Sequence, residues 1–322
     1  MSRTPQEELV HFLNDLYSVE LQALVQMKAA PALAKDPKLS ADFKMHEAET
    51  EEQAEKVRSR LTALGDSPSA IKDAIMKLGG KAFLLFAKLQ PETPGRLLAH
   101  AYSYEAMEWA GYAVLIRMAD RTGDTATAQL GRTIQAQERT MMDRLEARFD
   151  AIEAVSHRDT PTSELTAHVC KHLAEAHALE AQSIQLMEKA ATITKDEDLS
   201  QIYAEHLDES RRQIALIEKR IESLGGDTST IEDASLRLGG LNWGLFFQAQ
   251  SDTPAKLAAF AYAVEHLEIA GYELLKRSAR RAGDLETEQL CDTILTEERA
   301  MTERVASAFD RSVEATLNAT KR

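Results

Sequence analysis

Glutamates stand where the apolar stripes of several helical segments should continue. Glu20 falls between Leu16 and Leu24 at helical spacing. A second segment carries His46, Glu49 and Gln53 on its stripe, a third Glu105 and Glu108, and a fourth Glu138. A buried carboxylate without a partner is costly, so each needs a counter-charge or a proton. His46 and Glu49 are three apart, as are Glu105 and Glu108, so each pair shares one face of a helix. Several carboxylates with a single histidine form a hard, oxygen-rich donor set, of the kind that binds a pair of iron or manganese ions. The whole set recurs 160 residues later as Glu180, His206, Glu209, Gln213, Glu265, Glu268 and Glu298. The metal ligands expected are therefore Glu20, His46, Glu49, Glu105, Glu108 and Glu138, with their six counterparts. That makes two di-iron or di-manganese sites per chain, with no organic cofactor and no separate catalytic residue assigned.

The elements that must carry these residues follow from the apolar periodicity. Leu9, Phe12, Leu13, Leu16, Leu24 and Met27 predict a first helix over Pro5 to Ala34, and Asp36-Pro37 breaks it. A second helix is predicted over Leu39 to Leu64, stopping at Gly65. Thr93-Pro94 opens a third, which ends at Gly123, and a fourth runs from Asp124 to Phe149. The first two helices form an antiparallel hairpin about a turn near residue 35. Glu20 and Glu49 then lie on either side of that turn at one level, roughly 21 Å from it at 1.5 Å per residue. Glu105, Glu108 and Glu138 stand in the same relation to the turn near residue 123. All four helices deliver acids to the middle of the bundle, and Glu49 and Glu138 are the expected bridging pair.

Between the second and third helices, an apolar stretch with Ile71, Ile75, Leu78, Gly79-Gly80, Phe83, Leu84, Leu85 and Phe86 reads as short helices along a long crossover. An all-α bundle of four helices with one such crossover has the ferritin-like topology. The shift of 160 residues also aligns Thr93-Pro94 with Thr253-Pro254 and Phe149-Asp150 with Phe309-Asp310. Roughly a third of the aligned positions are identical, which predicts two homologous bundles, over 1–155 and 164–322, joined by a polar linker over 156–163.

The 322 residues are long enough for two buried cores. With 38 Lys and Arg against 52 Asp and Glu, the net charge of −14 argues against nucleic acid or an anionic membrane as a partner. Cys170 and Cys291 are far apart and form no C-x-x-C pair, so neither a rubredoxin-like iron site nor a disulfide framework is expected. No signal-like or membrane-spanning run is present, and a cytoplasmic location is the default expectation.

The chain resembles the YciE/YciF-type ferritin-like stress proteins. The likeness rests on Tyr17-Ser18-Val19-Glu20, on His46-x-x-Glu49-Thr50-x-x-Gln53, on Glu105-x-x-Glu108-Trp109-Ala110-Gly111-Tyr112 and on Glu138-Arg139, and it covers nearly all of each repeat. It implies a ferritin-like fold, a di-metal site and an association with stress responses, here in a duplicated and fused unit. Ferritin-like enzymes commonly carry Glu-x-x-His on the second and fourth helices. This chain has His-x-x-Glu on the second, and Met141 and Met301 where the other histidine would stand.

The resulting expectation is a di-metal protein that handles ferrous iron, oxygen or peroxide, with oxidoreductase, ferroxidase or peroxidase-like activity as the enzymatic options. The alternative is a non-enzymatic, stress-associated helical scaffold with a metal-free acidic core. Arg139 and Arg117 are the cations that would pair with the acids in that case. His177, three before Glu180, is a further candidate ligand that would make the second site differ from the first. Phe83 and Phe86, with Trp243, Phe246 and Phe247, suggest that the two bundles pair as a pseudo-dimer within the chain, with further homo-oligomerisation open.

Overall fold

The computed structural model describes residues 3–67, 93–226 and 253–319. The crossovers, their glycine pairs and the aromatic clusters lie outside the described residues, so the pairing of bundles inferred from those clusters rests on the sequence alone. Within the described residues the chain is all-α, with no strand. The first repeat forms α1 (Pro5–Leu33), α2 (Pro37–Ala63), α3 (Thr93–Thr122), α4 (Thr125–Glu146) and the short α5 (Phe149–Ser156). The second forms α6 (Leu165–Ile193), α7 (Glu197–Ser223), α8 (Pro254–Ala282), α9 (Leu285–Ser307) and α10 (Phe309–Ala319). The two tandem four-helix bundles expected from the repeat are thus present, and α5 and α10 are additions to them.

Side-chain caps set the helix starts. Thr4 and Glu7 form a reciprocal capping box ahead of Pro5, and the Asp36 carboxylate accepts from two amides at the start of α2. Asp124 and Asp284 cap α4 and α9, and in each case the turn residue before them, Gly123 or Gly283, has a positive φ that suits glycine. Each of these aspartates has a second role. Arg60 from the end of α2 donates to Asp124 at 2.6 Å and to Thr127 at 2.8 Å, and Arg220 from α7 does the same to Asp284 and Thr287 at 2.5 and 2.8 Å. The fourth helix of each bundle is thereby tied to the second.

Apolar burial along the stripes supplies most of the cohesion: Leu9, Leu13, Phe43, Leu61, Leu98, Leu115, Ile134 and Leu145 are all fully buried. Gly111 lets α3 approach α1 closely, since a Cβ there would meet Leu16 Cδ2 at 2.7 Å. That approach sets the level at which Tyr112, the next residue, reaches α1.

The helices gather into two compact units, Met1–Arg148 with Phe309–Arg322, and Phe149–Ala308. The short helix that ends each repeat therefore belongs to the compact unit of the other repeat's bundle. In the first unit, α10 rests on α3: the Phe309 ring lies 6.3 Å from Trp109, Arg117 stands over it at 5.6 Å, and Asp310 pairs with Arg117 and Arg121 at 3.0 and 2.9 Å. In the second, α5 rests on α8: Arg277 stands over Phe149, and Arg281 makes a two-pronged pair with Glu153 at 2.8 and 2.7 Å. No helix of the described residues is long and apolar enough to cross a membrane.

Candidate metal centres

In each bundle the four long helices bring one set of acids together. In the first, His46 from α2, Glu105 and Glu108 from α3 and Glu138 from α4 place ligand atoms within 4.8 Å of one another, all buried. His206, Glu265, Glu268 and Glu298 do the same in the second. His46 Nε2 lies 2.9 Å from Glu105 Oε2 and 3.5 Å from Glu138 Oε2, and His206 Nε2 lies 3.1 Å from Glu265 Oε1. Glu20 from α1 and Glu180 from α6 are also fully buried, and each accepts a hydrogen bond from a tyrosine of the third long helix, Tyr112 or Tyr272.

Glu49 and Glu209 are placed differently. Each sits on the Nδ1 side of its histidine, at 3.0 and 3.3 Å, partly exposed and facing a cation of the fourth helix rather than Glu138 or Glu298. Arg144 is 3.6 Å from Glu49, whereas Arg304 reaches both oxygens of Glu209. His177 is largely buried, its Nε2 lies 3.0 Å from Glu218 of α7, and it is not in the His206 group. Arg139 pairs with Asp143 and Arg117 with Asp310, so neither neutralises the buried acids. The cations that matter, Arg144 and Arg304, were not singled out from the sequence, although they recur at the 160-residue shift and lie six residues after Glu138 and Glu298, toward the far end of the helix.

Burial dominates the electrostatics. It raises the Glu20 carboxyl to about 8 and that of Glu180 to about 7, against the lowering effect of the tyrosine hydrogen bonds. Burial and the neighbouring carboxylates hold Glu108, Glu138, Glu268 and Glu298 well above the usual carboxylate range. Burial opposes charge on His46 and His206, but the facing glutamates outweigh it and hold both imidazoles well above their ordinary value. On the outer side the order reverses. The hydrogen bond from His46 lowers Glu49, and His206 with Arg304 takes Glu209 down to about 2.

The donor set fits metal ions on two counts. First, many of its atoms are buried without a hydrogen-bond partner: Glu20 Oε2, both oxygens of Glu105, Glu108 Oε1, Glu138 Oε2 and His46 Nε2, with Glu180 Oε2, both oxygens of Glu265 and of Glu268, and Glu298 Oε2 in the second bundle. The 2.9 Å approach of His46 to Glu105 is thus close but not aligned as a hydrogen bond. Second, Glu20, Glu105, Glu108 and Glu138 make no ion pair with any lysine or arginine among the described residues. A bound metal ion would supply the positive charge that no lysine or arginine among the described residues brings to these acids.

Fold and site together define an all-α protein of tandem ferritin-like bundles, each with a buried His/Glu group able to hold metal. The chain belongs to the YciE/YciF-type family: the family model described as a domain of unknown function, DUF892, matches twice, over residues 4–155 and 164–318. It is 30% identical over 137 residues to Protein YciF of Escherichia coli (strain K12), a match that covers 40% of this chain and 80% of that protein. No solved structure matches the chain.

Proposed function

We propose that each bundle holds a pair of transition-metal ions, iron or manganese, and that the protein handles ferrous iron, oxygen or peroxide under stress. The single observation that carries this reading is the buried group of one imidazole and three carboxylates from three helices, with Glu20 or Glu180 fully buried on the remaining long helix, paired with no arginine or lysine among the described residues and repeated in both bundles. Glu20, His46, Glu105, Glu108 and Glu138 would hold the first pair, and Glu180, His206, Glu265, Glu268 and Glu298 the second. Bound there, such ions supply Lewis acidity and, for iron, electron transfer with a small oxidant.

The chain's own residues prepare the site. Glu49 and Glu209 accept from Nδ1 of the histidines, which turns Nε2 toward the carboxylates. Tyr112 and Tyr272 fix one oxygen of Glu20 and Glu180 and leave the other free. Leu16 and Met141, with the other buried apolar residues of the stripes, keep bulk water out of the bundle.

A metal-free scaffold is the second reading, favoured by one observation: with the carboxyls of Glu20 and Glu180 raised by burial, much of the acid core can persist protonated near neutral pH. Elemental analysis after loading with ferrous iron or manganese, followed by a ferrous-oxidation assay with oxygen and with peroxide, separates the two. Uptake with oxidation supports the metal reading, and no uptake selects the scaffold.

A further inference from the structure

We infer that Gln53 and Gln213 are positioning residues of the two centres, each fixing the glutamate of the fourth long helix through an amide N–H. This rests on the reading of the bundles as metal centres.

Gln53 lies seven residues after His46, two helical turns along α2, and so on the same face. It is fully buried, as is Gln213. Gln53 Nε2 donates to Glu138 Oε1 at 2.5 Å, and Gln213 Nε2 donates to Glu298 Oε1 at 2.5 Å. In both bundles the hydrogen bond takes one oxygen of the glutamate and leaves the other, Oε2, buried without a hydrogen-bond partner. In the first bundle that free oxygen lies 3.5 Å from His46 Nε2, within the group of candidate ligands. The amide thus selects which oxygen faces the centre. The amide oxygen of each glutamine is itself buried without a hydrogen-bond partner. Leaving a buried acceptor unsatisfied costs more than an apolar side chain of similar size would, so packing alone does not account for a glutamine at this place in both repeats.

The second N–H partner differs between repeats: Gln137 Oε1 at 3.3 Å in the first, Glu297 Oε2 at 3.0 Å in the second. The contact to the buried glutamate is the feature the two share, which points to it as the function of the amide.

The fused chain provides its own control, because one centre can be altered while the other stays intact. The full-length protein would be titrated with cobalt(II), followed by its visible absorption and by calorimetry, for the wild type, Gln53→Leu and Gln53→Met. Removing an outer partner of a metal ligand typically costs 10–100-fold in affinity. Gln53→Leu should weaken the first centre by roughly that factor and leave the second at its wild-type affinity. Gln53→Met keeps the length of the side chain and removes the donor without adding a titratable group, so it should not restore binding. It also decides the matter alone if Gln53→Leu fails to fold. Wild-type affinity at both centres in either variant overturns the inference while leaving the metal reading intact. A wild-type protein that takes up no cobalt overturns both.

Discussion

The Tyr272 hydroxyl, on α8, donates to Glu180 Oε1, on α6, at 2.6 Å, and Tyr112 makes the same contact from α3 to Glu20 on α1. A hydrogen bond to the charged form favours ionisation, so each tyrosine works against the burial that keeps its glutamate protonated. Tyr272→Phe should push the Glu180 carboxyl further above its present value of about 7 and move metal loading of the second centre to higher pH, leaving the first unchanged. Cobalt uptake followed as a function of pH checks this. An unchanged midpoint at the second centre would show that the hydroxyl has no hold on its charge.

Without metal, the raised carboxyls fix the sign of the pH dependence. Glu20 and Glu180 have native-state values of about 8 and about 7 against an ordinary 4.5, so their contribution to stability is complete below the ordinary value and is lost as pH rises through the native one. His46 and His206, also raised, act in the same direction. Glu209, lowered to about 2, acts oppositely but only on the acid side of the ordinary carboxylate value. The Tm of chelator-treated protein should therefore fall between about pH 5 and 8, and added metal should abolish or reverse the fall because deprotonated ligands bind it more tightly. A metal-free Tm that rises over that interval would contradict the assigned shifts.

Much of this was legible in the sequence because two independent signals coincided. Glu20, Glu105 and Glu138 interrupt apolar stripes, and the 160-residue shift reproduces each interruption, so the four helices and the middle level of the acids could be read from periodicity alone. Glu49 was not legible in the same way. Its spacing from His46 places it on the right face, but its carboxylate sits against His46 Nδ1 and 3.6 Å from Arg144, a residue of another helix that spacing within α2 does not announce. His177 shows the same limit: three residues before Glu180 is compatible with the ligand face, yet its imidazole pairs with Glu218 on α7 and stands outside the His206 group. Short helices α5 and α10 open on the same Phe-Asp pair and differ beyond it, and nothing local in either sequence says which compact unit it joins.

His177→Phe should accordingly leave metal affinity at both centres unchanged and alter stability by about 1 kcal/mol, since its partner Glu218 is half exposed. A selective loss at the second centre in a cobalt titration would place His177 nearer the metal than its contact with Glu218 allows.

Phe309 is buried against Trp109, beneath Arg117, and so anchors α10 to the first compact unit. Phe309→Ala should destabilise that unit by about 3 kcal/mol, with hydrogen-exchange protection falling in α3 before it falls in α8. Phe149→Ala should show the converse order, since Arg277 and α8 hold that ring. Equal losses in α3 and α8 from either substitution would mean that the two units do not respond separately.

The central claim is the occupancy of the buried groups. Full-length protein loaded anaerobically with ferrous iron or with manganese, freed of excess ion and measured by elemental analysis should hold about four ions per chain, two for each bundle. The same measurement on Glu105→Gln should fall by about two, since each bundle is expected to hold a pair. Fewer than one ion per chain in the loaded wild type would contradict the account.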